Sequence, residues 1–289
     1  MKDGYHSAYW AELYDLGHDL FPWLNEDGNI FLGAYKDMRA RRPLEACLED
    51  KYIFVDIGCG TGRVFNQLAD NLVQTGGLSD RVQFIGLDYS AHMLKRATAK
   101  MPKALSHCIK YVQGSATDLF AVEEFQGPPT VDVVTFAAGS ISMLMEPGQA
   151  EKFLVQAAGV LRPKKGRALI SVRYVFDDSR QAEQAKMQER MFETSYSQDT
   201  PSSSFPGILY RQGKEIYRRE GNLVFWDLPV QVIKVDANGL ETVIDTDVAS
   251  MGGRVWKDGE LLLAATTAGL ELVETCSSSN ETMYVFKRG

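Results

Sequence analysis

Little in this sequence could hold a metal or a covalent staple. Its four cysteines, Cys47, Cys59, Cys108 and Cys276, are scattered, with no C-x-x-C pair and no accompanying histidine pattern. That argues against both zinc and a disulfide framework. Apolar runs never approach the ~20 residues of a membrane span. The opening "MKDGYHSAYW" has no apolar signal core, so the expectation is a cytoplasmic protein with no membrane partner. Basic residues are outnumbered, 31 against 38 acidic ones, for a net charge of −7. Nucleic acid binding needs a basic face. The densest basic cluster, "RARR" at Arg39 to Arg42, is short, adjoins Pro43 and reads as a solvated helix end, so no nucleic acid is expected. What remains is ordinary globular material: 289 residues, 45% hydrophobic and 24% charged. That is enough for one large core with a modest accessory layer.

From Lys51 to about Tyr174, short β-branched runs alternate with helical stretches. "YIFVDI", "VQFIGLD", "IKYVQG", "VDVVTFAA" and "RALISVRYV" read as strands; "RVFNQLADNLVQ", "AHMLKRATAKM" and "GQAEKFLVQAAGVL" read as helices. Apolar strands separated by amphipathic helices imply parallel pairing with right-handed crossovers, a doubly wound α/β sheet. Residues 1–50 read as a helical cap rich in rings. Residues 175–257 start with a charged helix, pass through "SQDTPSSSFPG", and continue as period-two strands "ILYRQGKEIYRR", "NLVFWDLPVQVIKV" and "LETVIDTDV", with "DANG" as a hairpin turn. This is an antiparallel β insertion with one wet face. Residues 258–289 supply a last helix and two strands that complete a seven-stranded sheet, the final strand antiparallel.

Chemistry is concentrated at "VDIGCGTGR", Val55 to Arg63, where Gly58, Gly60 and Gly62 follow the first strand directly. A Walker phosphate loop needs a lysine and a Ser/Thr after its last glycine; Arg63 and Val64 stand there instead. A dinucleotide fingerprint places its last glycine three residues after the second; here the gap is two, and Asp56 interrupts the apolar strand. Two readings stay open, a bare structural turn or a ligand that needs close backbone approach without a phosphate. Asp88 ends the second strand, 26 residues beyond Gly62. A carboxylate there can accept both hydroxyls of a ribose lying over the glycines, or cap the following helix, for which Ser90 is better suited.

"VDIGCGTGR", "GLDYSAHML", "GSATDL" and "LRPKKG" together resemble, in order and spacing, the class I S-adenosylmethionine-dependent methyltransferases. The resemblance covers roughly residues 51–174 and 258–289 and implies a Rossmann-like fold with S-adenosylmethionine as cofactor. It implies that Asp56 and the run Gly58, Cys59, Gly60 to Gly62 hold the aminocarboxylate tail, that Asp88 holds the ribose, and that Tyr89 and Met93 pack round the adenine. Ala137, at the end of the fourth strand, would also lie beside the cofactor. One motif departs from the family: an acid usually follows the third-strand glycine, whereas here Ser115 and Ala116 stand there and Asp118 comes later. Either Ser115 and the Ala116 amide read the adenine, or Asp118 does. The outer segments "YAELYDLGHD" and "RVWKDGELLLAATTAGLELVE" look like those of small-molecule methyltransferases, nearest the amino-sugar and glycine/sarcosine N-methyltransferases and related natural-product enzymes. That likeness implies a small-molecule acceptor, places Tyr14 near the transferring methyl, and makes the insertion a lid or a homodimer surface.

Methyl transfer from a sulfonium is an in-line displacement that demands alignment and exclusion of water more than acid–base power. Aromatic faces and phenol oxygens suit an electropositive methyl. Tyr9, Trp10 and Tyr14 supply them, although the same rings suit the core of two amphipathic helices. Of the four histidines, His6 and His18 flank the cap and are the candidate bases, whereas His92 and His107 read as structural. Ser140, Ser142 and Met143, after the fourth strand, and Arg173 and Tyr174, after the fifth, are expected to line the acceptor pocket, with Arg173 set to hold an anionic group or pair with an acid. The expected activity is N- or O-methylation of a small organic molecule in secondary metabolism. The alternatives are a methyltransferase-like fold repurposed for chemistry such as a cyclisation, and a non-catalytic paralogue.

Overall fold

In the computed structural model of the protein, residues 7–20, 25–42, 51–75, 77, 81–186, 199–214 and 216–289 are described. Two helices, α1 (Ala8–Leu20) and α2 (Gly28–Arg41), precede the first strand. The core then alternates β1 (Tyr52–Ile57), α3 (Arg63–Thr75), β2 (Val82–Asp88), α4 (Ala91–Ala99), β3 (Ile109–Gln113), β4 (Val133–Phe136), α5 (Gln149–Val160) and β5 (Arg167–Arg173). An insertion follows: β6 (Thr200–Pro201), β7 (Ile208–Gln212), β8 (Ile216–Glu220), β9 (Leu223–Val235) and β10 (Glu241–Arg254). The chain closes with α6 (Glu260–Thr267), β11 (Leu270–Ser277) and β12 (Glu281–Arg288).

The core sheet has seven strands in the order β11-β12-β5-β4-β1-β2-β3. Only β12 runs against its neighbours, as the sequence pattern implied. β1 is apolar almost throughout because helices cover both faces, and Asp56 is the exception. On one face Val64, Phe65, Leu68 and Leu72 of α3 and Phe31, Tyr35 and Met38 of α2 pack on Phe54 and Phe84. On the other, Phe153, Leu154 and Ala157 of α5 meet Val134, Ile170 and Phe286. The order reverses between β4 and β1, so the carboxyl ends of those strands open a crevice at the switch point.

The insertion is antiparallel, and the hairpin at "DANG" forms as expected: Asp236 Oδ1 accepts from the Asn238 and Leu240 amides, and Gly239 takes φ 80°. "ILYRQGKEIYRR", expected as one strand, is two. β7 and β8 both pair with β9 and are parted where Gly213 lies opposite Pro229. Proline has no N–H to give, so the ladder breaks there. A second departure concerns "RARR". Arg42 is not solvated; its guanidinium clamps buried Asp132 with two 2.9 Å bonds, and Arg162 and the Ile53 amide complete the carboxylate's shell. Asp132→Ala would leave two guanidinium groups and an amide uncompensated. It should lower unfolding free energy by about 3–5 kcal/mol in urea titrations.

Candidate active site

The glycine turn is built for close approach. Gly58, Gly60 and Gly62 have φ of 62°, 54° and 85°, which only glycine adopts without strain. A Cβ on Gly62 would lie 2.5 Å from the Tyr111 hydroxyl, and one on Gly58 would lie 3.2 Å from the Phe136 ring. Asp88, buried at the tip of β2, accepts from the Gly60 amide and the Ser90 amide, both at 2.8 Å. Ser90 caps α4 through Met93 N, as its position suggested. Cys59 is buried, its thiol pushed well up by desolvation. Asp56 is buried too. Its Oδ1 accepts from the Thr135 hydroxyl at 2.7 Å, while Oδ2 has no partner. Burial raises its pKa to about 7, which the Thr135 bond only partly offsets.

Helix α1 lies over this turn because two carboxylates one turn apart pin it. Glu12 points into the insertion. It accepts from the Tyr210 hydroxyl (2.6 Å), from the Ser202 and Ser203 hydroxyls, and from the Ser203 and Ser204 amides. Asp15 points into the core, taking the Thr61 hydroxyl of the glycine turn at 2.6 Å and pairing with Arg96 and Lys100 of α4. Tyr14, which precedes Asp15 in the chain and points to another side of the helix, is thereby set over Gly60, whose added Cβ would stand 3.9 Å from Tyr14 Cε1. Burial raises the Tyr14 pKa, so the phenol is protonated.

One turn on, the His18 ring lies 4.6 Å from that of Tyr14. Asn25 donates its amide to the His18 carbonyl (3.1 Å), which directs Oδ1 at His18 Nδ1 (3.0 Å). Nδ1 therefore carries the proton and Nε2 is a bare acceptor. Burial, then the Arg63 and Arg173 cations, bring the His18 pKa down to about 3, so the imidazole is neutral at physiological pH. Arg63, first residue of α3, is itself largely shielded from solvent. Desolvation opposes its charge, but the two bonds it donates to Asp27, 2.5 and 2.8 Å, outweigh it.

The structure thus gathers Tyr14, His18, Asp56, Gly58, Cys59, Gly60, Gly62 and Asp88 round one crevice. The remaining expected residues are placed differently. Tyr89 is half exposed beside Asp88, and Ala137 is buried at the end of β4. Ser115 and Asp118 line one cavity of about 310 Å³ at the tip of β3. Ser115 bonds Thr117 within its own turn, and Ala116 is half-buried. Tyr9 and Trp10 lie in the apolar seam between α1 and the insertion, Tyr9 against Phe205 and Trp10 with Tyr210 and Val230. Ser142, fully buried, accepts from Trp256 Nε1, and Ser140 gives its hydroxyl to the Ala137 carbonyl. Met143 is half-buried in the same turn. The Tyr174 phenol donates to the Ser278 carbonyl. Arg173 finds no carboxylate within ion-pair distance among the described residues, and its Nε is buried without a partner. His6 lies outside the described residues.

Sequence reasoning passed over Glu12, Asp15, Asp27, Arg63 and Glu281. Only Arg63 carried a signal, since a cation at the first position of a helix opposes the dipole. The strained turn after β4 was also missed: Ala138 has φ 56°, and Gly139 at 71° has no room for a Cβ, which would fall 2.9 Å from Arg173 Cγ.

The comparisons agree with this geometry. Residues 55–167 match the family model described as a methyltransferase domain. Over 292 aligned residues, 99% of this chain and 96% of the relative, the protein is 27% identical to the N-methyltransferase FrzE of a Cladobotryum species. Among solved structures it resembles the sugar N-methyltransferase KedS8 from Streptoalloteichus (TM-score 0.60, 16% identity, 96% and 93% of the two chains). It also resembles CalS10, an amino pentose methyltransferase from Micromonospora echinaspora solved with S-adenosylmethionine bound (0.56, 17%, 92% and 91%). At such identities the solved structures speak for the fold. The matched methyltransferase-domain region spans β1 to the start of β5, the part of the sheet that carries the glycine turn. Among the described residues no helix is long and apolar enough to cross a membrane, and no cluster of His, Cys, Asp and Glu could hold a metal.

Two measurements check the site. Asp88→Ala should weaken S-adenosylhomocysteine binding about tenfold or more by calorimetry, the loss expected for a charged hydrogen bond. The Glu12 clamp should show in acid. Burial alone would raise its pKa, but its hydrogen bonds bring it from 4.5 to about 2. A lowered folded pKa stabilises above the unfolded value and is lost as pH falls through the folded one. The gap in Tm between wild type and Glu12→Gln should therefore be widest near pH 7 and shrink between about pH 4.5 and 2.

Proposed function

We propose that this enzyme transfers the methyl group to the nitrogen of a small-molecule amine. The observation that carries the reading is the neutral His18 imidazole, bare at Nε2, tilted at 53° against Tyr14, which itself lies over the glycine turn. Similarity to an N-methyltransferase along 99% of the chain, cap and insertion included, supports it.

The residues fit the cofactor's zwitterionic tail. The unpartnered Asp56 oxygen suits its ammonium, and Arg63 with the first amides of α3 suits its carboxylate. The glycines let that tail lie on the backbone, and the Asp88 carboxylate at the tip of β2 suits ribose hydroxyls. The cofactor supplies an electrophilic methyl on a sulfonium. The protein's part is alignment. Tyr14, over Gly60, would turn its ring to the bound methyl, and α1 would exclude water. His18 Nε2 would accept an N–H from the amine in its neutral form and so orient the nitrogen lone pair for transfer. With a pKa near 3, His18 orients the amine and does not hold its proton. A phenol or alcohol acceptor would be served poorly by so weak a base.

With trideuteromethyl S-adenosylmethionine and a mixed panel of amines and phenols, the label should appear on nitrogen. Label on oxygen or carbon alone would contradict the reading. Tyr14→Phe should cut turnover about tenfold or more while S-adenosylhomocysteine affinity stays nearly unchanged; an unaltered rate would return Tyr14 to a packing role.

A further inference from the structure

A second pair of charges in the crevice is left without partners. Glu281 opens β12 and stands in register with Arg173, the last residue of β5. On an antiparallel pair, residues in register share a face, so the two side chains are neighbours at the carboxyl end of the sheet. Glu281 is only 3% exposed, and neither of its oxygens has a hydrogen-bond partner. Arg173 Nε is likewise buried and unpartnered, and the Arg173 stem is wedged against Gly139 of the strained β4 turn. The two do not form an ion pair with each other, although Glu281 lies within electrostatic reach of both Arg173 and Arg63. Burial, and then Asp27, raise the Glu281 pKa; Arg173, Arg63 and the nearby Ser171 hydroxyl, which falls short of ordinary hydrogen-bond geometry, pull it back. A buried carboxylate beside a half-buried guanidinium whose Nε is shut off from solvent, the two unjoined, is expensive unless something else bridges them.

We propose that Glu281 and Arg173 form the specificity seat for the acceptor, a small molecule carrying both an amine and an anionic group. The amine N–H donates to Glu281 while the anion takes the guanidinium. Resting on the N-methylating reading above, this narrows the acceptor from any amine to a zwitterionic one. Glu281 is also placed to take the proton that an ammonium form must shed before its lone pair is free; the proton passes from nitrogen to carboxylate and no other bond changes.

The test uses the full chain, trideuteromethyl S-adenosylmethionine and three probe classes. These are amines bearing a carboxylate or phosphate, the same amines lacking the anion, and the same anions lacking the amine. The expected result is label chiefly in the first class. Glu281→Gln should lower kcat/KM for those probes roughly ten- to hundredfold, with S-adenosylhomocysteine affinity unchanged and Tm equal or higher, since an unpaired buried charge is removed. Arg173→Met should raise KM for the first class and shift preference toward anion-free amines. Label chiefly in anion-free amines, label in no class, a marked fall in Tm for Glu281→Gln, or unchanged kinetics in both variants would overturn the seat. Failure of the wild type to bind S-adenosylhomocysteine, or label on oxygen only, would instead sink the earlier reading.

Discussion

Two acidic side chains on the first helix, Glu12 facing the insertion and Asp15 facing the core, hold the whole site in register. Both are buried and both are saturated by donors from distant parts of the chain: Ser202, Ser203 and Tyr210 for one, Thr61, Arg96 and Lys100 for the other. A buried carboxylate without partners is costly, so each defines one acceptable seating of the helix and penalises every other. The consequence is positional. Tyr14 and His18, one turn apart on the same helix, are delivered over a turn whose glycines leave the backbone bare. Asp15 touches that turn directly through Thr61, which couples the cap to the glycines.

The interior charges divide into two kinds. Asp132 is fully matched by Arg42, Arg162 and an amide and lies at the amino end of β4, far along the sheet from the crevice. Asp27 and Arg63 are matched to each other. Asp56, Glu281 and Arg173 each keep a polar atom unsatisfied, and all three stand at the carboxyl ends of core strands or in register with one. Satisfied groups fix structure; unsatisfied ones at a crevice are where stability has been given up for binding.

The core was legible because its signals are local. Strand and helix periods, the three glycines, Asp88 and the Ser90 cap can be read from adjacent residues, and together they located the sheet and its crevice. The partnerships that complete the site join residues far apart in the chain. Glu12 meets Tyr210, Arg173 faces Glu281, Asp27 meets Arg63, and no window of sequence displays those pairings. The same limit explains why Ser142 and Tyr174 looked like pocket residues: their positions after core strands were right, but Trp256 and Ser278, brought in by the insertion's end and the β11–β12 turn, occupy their polar atoms. The broken strand at Gly213 is the converse case, since Pro229 sits on the partner strand and its effect is felt across the ladder.

A crystal structure of the protein with S-adenosylhomocysteine would show whether one donor lies between the glycine turn and α1. Its aminocarboxylate tail is expected on the Gly58–Gly62 backbone between Asp56 and Arg63, its ribose on Asp88, and its sulfur facing Tyr14 and His18. A ligand bound with its ribose away from Asp88, or a sulfur turned from α1, would contradict this placement.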